Sequence, residues 1–256
     1  MSARVGFFTD TSLCIGCKAC EVACKEWNQV PEDGLDFLGL SMDNTGGLGS
    51  DTWRHVAFIE QQVQDPVDAM RWLMSSDVCK HCTEAACLEV CPTGSLFRTE
   101  YGSVVVQADI CNGCGYCVPA CPFGVIDRRQ DDGRAWKCTL CYDRLGNDQE
   151  PACAKACPTD SIQFGELEVL RVHARERVET LRERGEDRAR LYLDGPDDGI
   201  GGAGAFFLLL DEPEVYGLPP DPVTPTRHLG ESWRAAAAAG ATIVAGVVGS
   251  VLWGRR

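Results

Sequence analysis

The sequence predicts an α+β protein made of two cysteine-rich units, one nested inside the other, with a C-terminal extension and one membrane-spanning helix. Three observations carry this. Sixteen cysteines fall into four groups of four with none left over, short apolar runs of strand length flank and link the groups, and a charge-free run of nineteen residues lies near the C-terminus. At 256 residues the chain can bury an apolar core, so it does not need cysteine staples merely to fold. A formal charge of −14 excludes nucleic acid as a partner, because phosphate binding needs a basic patch.

The first apolar run is 5–8, with Cys14 soon after. That leaves no room for the apolar segment of a signal peptide, and no twin-arginine pair stands near Met1. Any export is therefore expected to depend on another protein.

The first cysteine group is Cys14, Cys17, Cys20 and Cys24, spaced C-x2-C-x2-C-x3-C. The second is Cys79, Cys82, Cys87 and Cys91, spaced C-x2-C-x4-C-x3-C, then Pro92. The third is Cys111, Cys114, Cys117 and Cys121, with the first group's spacing, then Pro122. The fourth is Cys138, Cys141, Cys153 and Cys157, spaced C-x2-C-x11-C-x3-C, then Pro158. Lys25 takes the proline's place after the first group. Three thiolates two residues apart let one tight loop wrap three corners of an iron–sulfur cube. The fourth thiolate lies about a helical turn further on and reaches a second cube, as in two-cluster ferredoxins. Gly16, Gly113 and Gly115 suit loops whose backbone comes close to sulfide. Zinc ribbons separate two C-x2-C pairs by a dozen or more residues, which only the fourth group approaches. Disulfide-dense chains are usually much shorter. The spacing therefore predicts four [4Fe–4S] clusters.

Between the second and third groups, 95–97 and 104–106 read as a hairpin around Tyr101 and Gly102. Group–hairpin–group is the plan of a two-cluster ferredoxin. One cluster is expected on Cys79, Cys82, Cys87 and Cys121, the other on Cys111, Cys114, Cys117 and Cys91. The first and fourth groups pair by elimination: Cys14, Cys17, Cys20 and Cys157 for one cluster, Cys138, Cys141, Cys153 and Cys24 for the other. Segments 5–8 and 161–164 are strand candidates that could pair as the edge of this unit. The resulting fold class is two nested ferredoxin-like dicluster units. Residues 1–30 and 130–165 form the outer unit and 75–129 the inserted one, with 31–74 a loop and strand insertion.

Residues 31–50 read as a Gly- and Asp-rich loop, and 53–63 as a strand. Segment 166–184 is an amphipathic helix with Leu167, Leu170, Ala174, Val178 and Leu181 on one stripe. Runs 191–193 and 205–210 read as a hairpin, and 218–225, with four prolines, as a linker. These make up an extension over 166–234. Segment 235–253 nearly spans a hydrocarbon core of about 30 Å at about 1.5 Å per residue. Ala241, Ala245 and Gly249 give it a small-residue ridge suited to packing on other membrane helices. Arg227 and Arg234 before it and Arg255 and Arg256 after it balance, so charge does not orient it.

No catalytic constellation is visible. Among His55, His81, His173 and His228, only His81 lies inside a cysteine group. It reads either as a tuner of a cluster or as a partly exposed loop residue. His173 is expected at the surface. No phosphate-binding glycine loop is present.

The stretches CIGCKACEVACKEWN, CKHCTEAACLEVCPTGSLF, CNGCGYCVPACPFGVIDR and KCTLCYDRL with PACAKACPT resemble the iron–sulfur (beta) subunit of formate dehydrogenase. That family belongs to the four-cluster electron-transfer subunits of molybdenum and tungsten oxidoreductases. VYGLPPDP followed by one terminal helix is similar to the membrane-bound form. Nitrate reductase subunits put tryptophan at one cluster position, whereas all sixteen positions here are cysteine. The resemblance implies a non-catalytic electron-transfer subunit. Its partners would be a catalytic molybdopterin-type (molybdenum or tungsten) formate dehydrogenase subunit, a membrane cytochrome b subunit leading to quinone, and the lipid bilayer. It implies a protein held at the cell membrane by a single-pass C-terminal anchor, with a body that in this family usually lies outside the cytoplasm, exported with the catalytic subunit; the missing signal fits a cytoplasmic body equally. Another molybdenum reductase or hydrogenase, or a free polyferredoxin, remains open at this point.

Overall fold

The computed structural model describes all residues but 1–3, 35–36, 40–41, 43–44, 63–69 and 254–256. Val5–Asp10 forms a strand, β1, with five of its six residues buried. The first cysteine loop leads into a helix, α1 (Ala19–Asn28), which turns Cys20, Glu21 and Cys24 inward. Lys25, standing where the other groups have proline, donates from Nζ to the carbonyls of Pro31 (3.0 Å) and Asp51 (2.6 Å). It turns the chain by pinning the following loop. Among the described residues of 31–50 there is neither helix nor strand.

The strand expected at 53–63 runs over Arg54–Gln62 (β2), and Val63 lies outside the described residues. It pairs antiparallel with Met70–Val78 (β3), in a register that sets Arg54 opposite Val78 and Val56 opposite Ser76. Sequence reasoning did not find β3. Its RWLMSSDV run mixes a cation, two serines and an acid with apolar residues, so no clean alternation marks it. The alternation appears only against two different surfaces. Val56, Ser76 and Val78 are buried toward the first cysteine loop, while Ile59 and Leu73 join a separate core on the other side.

The next three cysteine groups each carry a single helical turn: α2 (Ala86–Glu89), α3 (Cys117–Ala120) and, after α4 (Tyr142–Leu145), α5 (Ala152–Lys155). In every group the third cysteine sits in a helix and the fourth lies four residues on. β4 (Leu96–Arg98) and β5 (Val104–Val106) make the hairpin between groups two and three, one residue later in its first strand than expected. A second, two-residue hairpin, β6 (Asp127–Arg128) and β7 (Ala135–Trp136), links groups three and four.

β8 (Ile162–Glu166) pairs antiparallel with β1, as the apolar runs suggested, but β1 is not an edge. After a helix, α6 (Leu167–Glu183), the strands β9 (Arg190–Tyr192) and β10 (Ala205–Leu209) complete a four-stranded sheet of order β8-β1-β10-β9. β10 runs parallel to β1, pairing Phe7 with Ala205 and Asp10 with Leu208. All five β10 residues are buried, and α6 lays its predicted stripe of Leu167, Leu170, Ala174, Val178 and Leu181 in the same core. The C-terminal extension is thus part of the body's main sheet, because a strand with both faces apolar must be covered on both.

Residues 1–224 form one compact unit and 225–256 a second. The second contains α7 (Leu229–Trp253), which starts six residues before the charge-free run and has no buried residue. It is long and apolar enough to cross a membrane.

Candidate iron–sulfur sites

The thiols are brought together across groups. One small cavity is lined by Cys14, Cys17 and Cys20 of the first group and by Cys157 of the fourth, with Ser76 and Val56 of the β2–β3 hairpin. Another is lined by Cys111, Cys114 and Cys117 of the third group and Cys91 of the second. Burial pushes the Cys24 thiol well up, and its sulfur neighbours Cys138, Cys153 and Cys141 push it further. Burial likewise raises Cys82, next to Cys79, Cys121 and Cys87. Each neighbourhood brings together four cysteines that the spacing groups as candidate ligands.

The donor chemistry fits iron–sulfur cubes. Among the described residues no three Cys, His, Asp or Glu converge as they would on a single metal ion. A cube's corners stand further apart than the ligands of one ion, and the two cavities lined by four cysteines suit such a spread donor set. Burial raises Cys20 to about 11, Cys87 to about 12 and Cys117 to about 11. Cys91 goes the other way. Burial disfavours its thiolate, but hydrogen bonds from the Ser95 hydroxyl and from the Leu96 and Thr93 amides bring it down to about 6.

Successive sets are neighbours. Cys153 adds to the rise of Cys20, Cys79 to that of Cys138, and Cys117 to that of Cys87, each after the larger effect of burial. These three proximities make Cys14/17/20/157 a neighbour of Cys24/138/141/153, that set a neighbour of Cys79/82/87/121, and the latter a neighbour of Cys91/111/114/117. Cys17 and Cys114, in the two terminal sets, are the exposed cysteines of the protein.

Side chains that sequence reasoning did not single out complete the sulfur environments. Asn28 Nδ2 lies 3.7 Å from Cys24 Sγ and 3.8 Å from Cys141 Sγ, joining two sulfurs of one set. Ser95 Oγ lies 3.3 Å from Cys91 Sγ and Ser76 Oγ 3.3 Å from Cys20 Sγ. The Ala135 amide donates to Cys111 Sγ over 3.4 Å. Asn28 and Ser95 stand four residues after a fourth cysteine, a spacing that could have flagged them. Ser76 carries no local signal, since the β2–β3 register alone delivers it.

Two lysines are buried beside the thiols. Lys137 donates to the carbonyls of Val104 and Cys138. Burial disfavours its charge, but Cys79, Cys87, Cys138 and Cys121 more than offset this. Lys80 pairs with Asp77 and faces the rings of Phe123 and Phe207.

His81 is not the partly exposed loop residue of one reading: it is 1 % exposed. Its Nδ1 accepts the Val104 amide over 3.1 Å. Burial, then Lys137 and Arg4, hold its pKa well below the ordinary imidazole value, so the ring is neutral with its proton on Nε2. Among the described residues that Nε2–H has no hydrogen-bond acceptor, leaving it as a buried donor. His173 is exposed, as expected, with Nδ1 2.9 Å from Gln163.

Comparison with known proteins agrees with this chemistry. Two families, each described as a 4Fe-4S dicluster domain, match residues 13–95 and 70–167. The formate dehydrogenase iron-sulfur subunit of Haemophilus influenzae is 44% identical over 218 residues, covering 83% of this protein and 68% of the relative. The nitrate-inducible formate dehydrogenase iron-sulfur subunit of Escherichia coli is 40% identical over 224 residues, covering 86% and 74%. A component of the anaerobic dimethyl sulfoxide reductase of Escherichia coli is 35% identical over 176 residues, covering 67% and 78%. With thiol sets suited to iron–sulfur clusters and this breadth of identity, the protein carries electrons and belongs to the family of formate dehydrogenase iron–sulfur subunits.

Proposed function

We propose that the protein relays electrons from a molybdopterin-type (molybdenum or tungsten) subunit that oxidises formate towards a membrane cytochrome b subunit and quinone, using four [4Fe–4S] clusters. The observation that carries this is the gathering of all sixteen thiols into four sets of four, each set next to the following one. The proposed ligands are Cys14, Cys17, Cys20 and Cys157; Cys24, Cys138, Cys141 and Cys153; Cys79, Cys82, Cys87 and Cys121; and Cys91, Cys111, Cys114 and Cys117. A saturated cluster stores and passes one electron at a time. The protein's part is to hold the four sites in series, and the exposed Cys17 and Cys114 put the terminal sites within reach of partners. With every thiol committed to ligation, the protein itself is non-catalytic. The helix α7 anchors it in the cell membrane beside the cytochrome, and the body stands outside the cytoplasm.

The likeness to a dimethyl sulfoxide reductase component favours a second reading, in which the same relay serves another molybdenum enzyme. Purification of the native complex separates the two by the identity of the catalytic subunit. Within the formate reading, Cys114→Ser is the decisive substitution. Formate-dependent reduction of a small dye at the catalytic subunit should survive in the assembled complex, and formate-to-quinone transfer should collapse. Quinone reduction at the unmodified rate with that cluster absent would overturn the relay.

A further inference from the structure

The β2–β3 hairpin supplies no thiol, yet it carries a whole cation into the interior. Arg54, the first residue of β2, is 1 % exposed. Its Nη1 donates to the Ser76 carbonyl (3.1 Å) and to Ser76 Oγ (3.3 Å), and its Nη2 lies 3.4 Å from Cys153 Sγ. The guanidinium carbon stands 4.7 Å from the Phe7 ring centroid. Ser76 Oγ is itself 3.3 Å from Cys20 Sγ. The side chain therefore reaches one thiol set directly, at Cys153, and the neighbouring set through Ser76, at Cys20. Among the described residues Arg54 Nε has no hydrogen-bond partner. The groups that offset its burial are the thiols of Cys153, Cys20 and Cys138, with no carboxylate among them.

Burying a guanidinium without a carboxylate is costly, and an apolar side chain of similar volume would fill the space more cheaply. Beyond the neutral Ser76 and Phe7 contacts, the charge is compensated by the sulfurs of two adjacent sites. We propose that Arg54 is a tuning cation shared by the Cys14/17/20/157 and Cys24/138/141/153 sites, raising the reduction potentials of both together. The inference rests on the four-cluster reading above and goes beyond it. A cluster held by thiolates becomes more negative on reduction. A fixed positive charge in a low-dielectric interior stabilises the reduced form, and a hydrogen bond to a ligand sulfur acts in the same direction. Because arginine stays protonated in proteins, the effect holds at every working pH. Sharing one charge moves the two neighbouring sites in step, so the transfer between them stays near level.

The test is a redox titration of the full-length protein, loaded anaerobically and followed by electron paramagnetic resonance. Cys14→Ser and Cys153→Ser variants assign the signals of the two flanking sites. In Arg54→Met and Arg54→Gln two of the four potentials should fall, each reduction equilibrium shifting about tenfold, which is 59 mV for a one-electron couple. The other two should hold. Arg54→Lys, which keeps the charge, should restore most of the shift. A loaded Arg54→Met protein with native potentials would overturn the proposal. So would four potentials falling alike, or Arg54→Lys falling as far as Arg54→Met. If neither neutral variant loads fully, losses confined to the two flanking sites with full loading of Arg54→Lys uphold it, and loss of all sites or an equal loss in Arg54→Lys sinks it. Iron and acid-labile sulfide analysis of the unmodified protein tests the underlying reading separately. Fewer than about sixteen of each per polypeptide, four per cluster, would fault the four-cluster count and not the role of Arg54.

Discussion

Gly113 lies between two thiols of the third group with φ +71°, and a Cβ there would come 2.4 Å from the Gly133 carbonyl oxygen. Both the left-handed backbone and the contact with a backbone atom oppose any side chain. Gly113→Ala should therefore cost about 1–3 kcal/mol and empty the Cys91/111/114/117 site first. Iron content combined with thermal unfolding checks this, and full iron at unchanged stability would contradict it. Protonation gives a second residue-scale outcome. With Cys20 near 11, Cys87 near 12 and Cys117 near 11, these thiols hold their protons at neutral pH until iron displaces them. Ligation takes the thiolate, so loading releases protons and is opposed by acid. Reconstitution in weak buffer should acidify the solution, and loading should fall as pH drops from about 8 to about 6. Loading that is independent of pH would show that the thiols are already ionised. At this scale the grouping of the thiols was legible because spacing encodes it: each fourth cysteine follows its third by one helical turn. Arg54 and Ser76 were not, because they reach the sulfurs only through the register of a hairpin whose second strand has no clean period.

Among the elements, β10 decides how the body closes. Its five residues are buried between β1 and β9, and Phe206 stacks on Phe8 with ring centroids 5.2 Å apart. Phe206→Ala should cost about 3–5 kcal/mol. For a unit of this size that lowers the unfolding midpoint by roughly 6–20 °C. A loss below a few degrees would mean that the site collapses around the cavity. The helix α6 was readable in detail, since a 3.6-residue stripe is a local signal, and its buried face is the predicted one. The hairpin β9–β10 was also readable as a pair. Its place in the sheet was not, because a parallel partner nearly two hundred residues away leaves no mark on either strand.

For the whole molecule, the division at residue 225 carries a clear expectation. No cysteine lies beyond it, and the four thiol sets are complete within 1–224. Removing 229–256 should free the complex from membranes while iron content and dye-linked activity stay unchanged. A truncated complex that still sediments with membranes after removal of the proposed cytochrome partner would rule out α7 as the anchor. The nested plan was legible at this scale from the hairpin that joins groups two and three and from the pairing of the two groups that remain. The single main sheet was not, because it joins the N-terminal strand to a segment the sequence sets apart as an extension.

The parallel pairing of β1 with β10 also sets a timetable for biogenesis. β1 precedes its parallel partner at 205–209 by nearly two hundred residues, so the sheet that seats the first cysteine loop is not complete until that partner is made. At about 5–20 residues per second the ribosome needs roughly 10–40 seconds to cover that distance. During this interval Cys14, Cys17 and Cys20 sit on a nascent polypeptide without their sheet, while the hairpin β4–β5 and the groups on either side of it are already out. Throughout synthesis the N-terminal thiols depend on a reducing, oxygen-poor surrounding to stay unmodified until the last strand arrives.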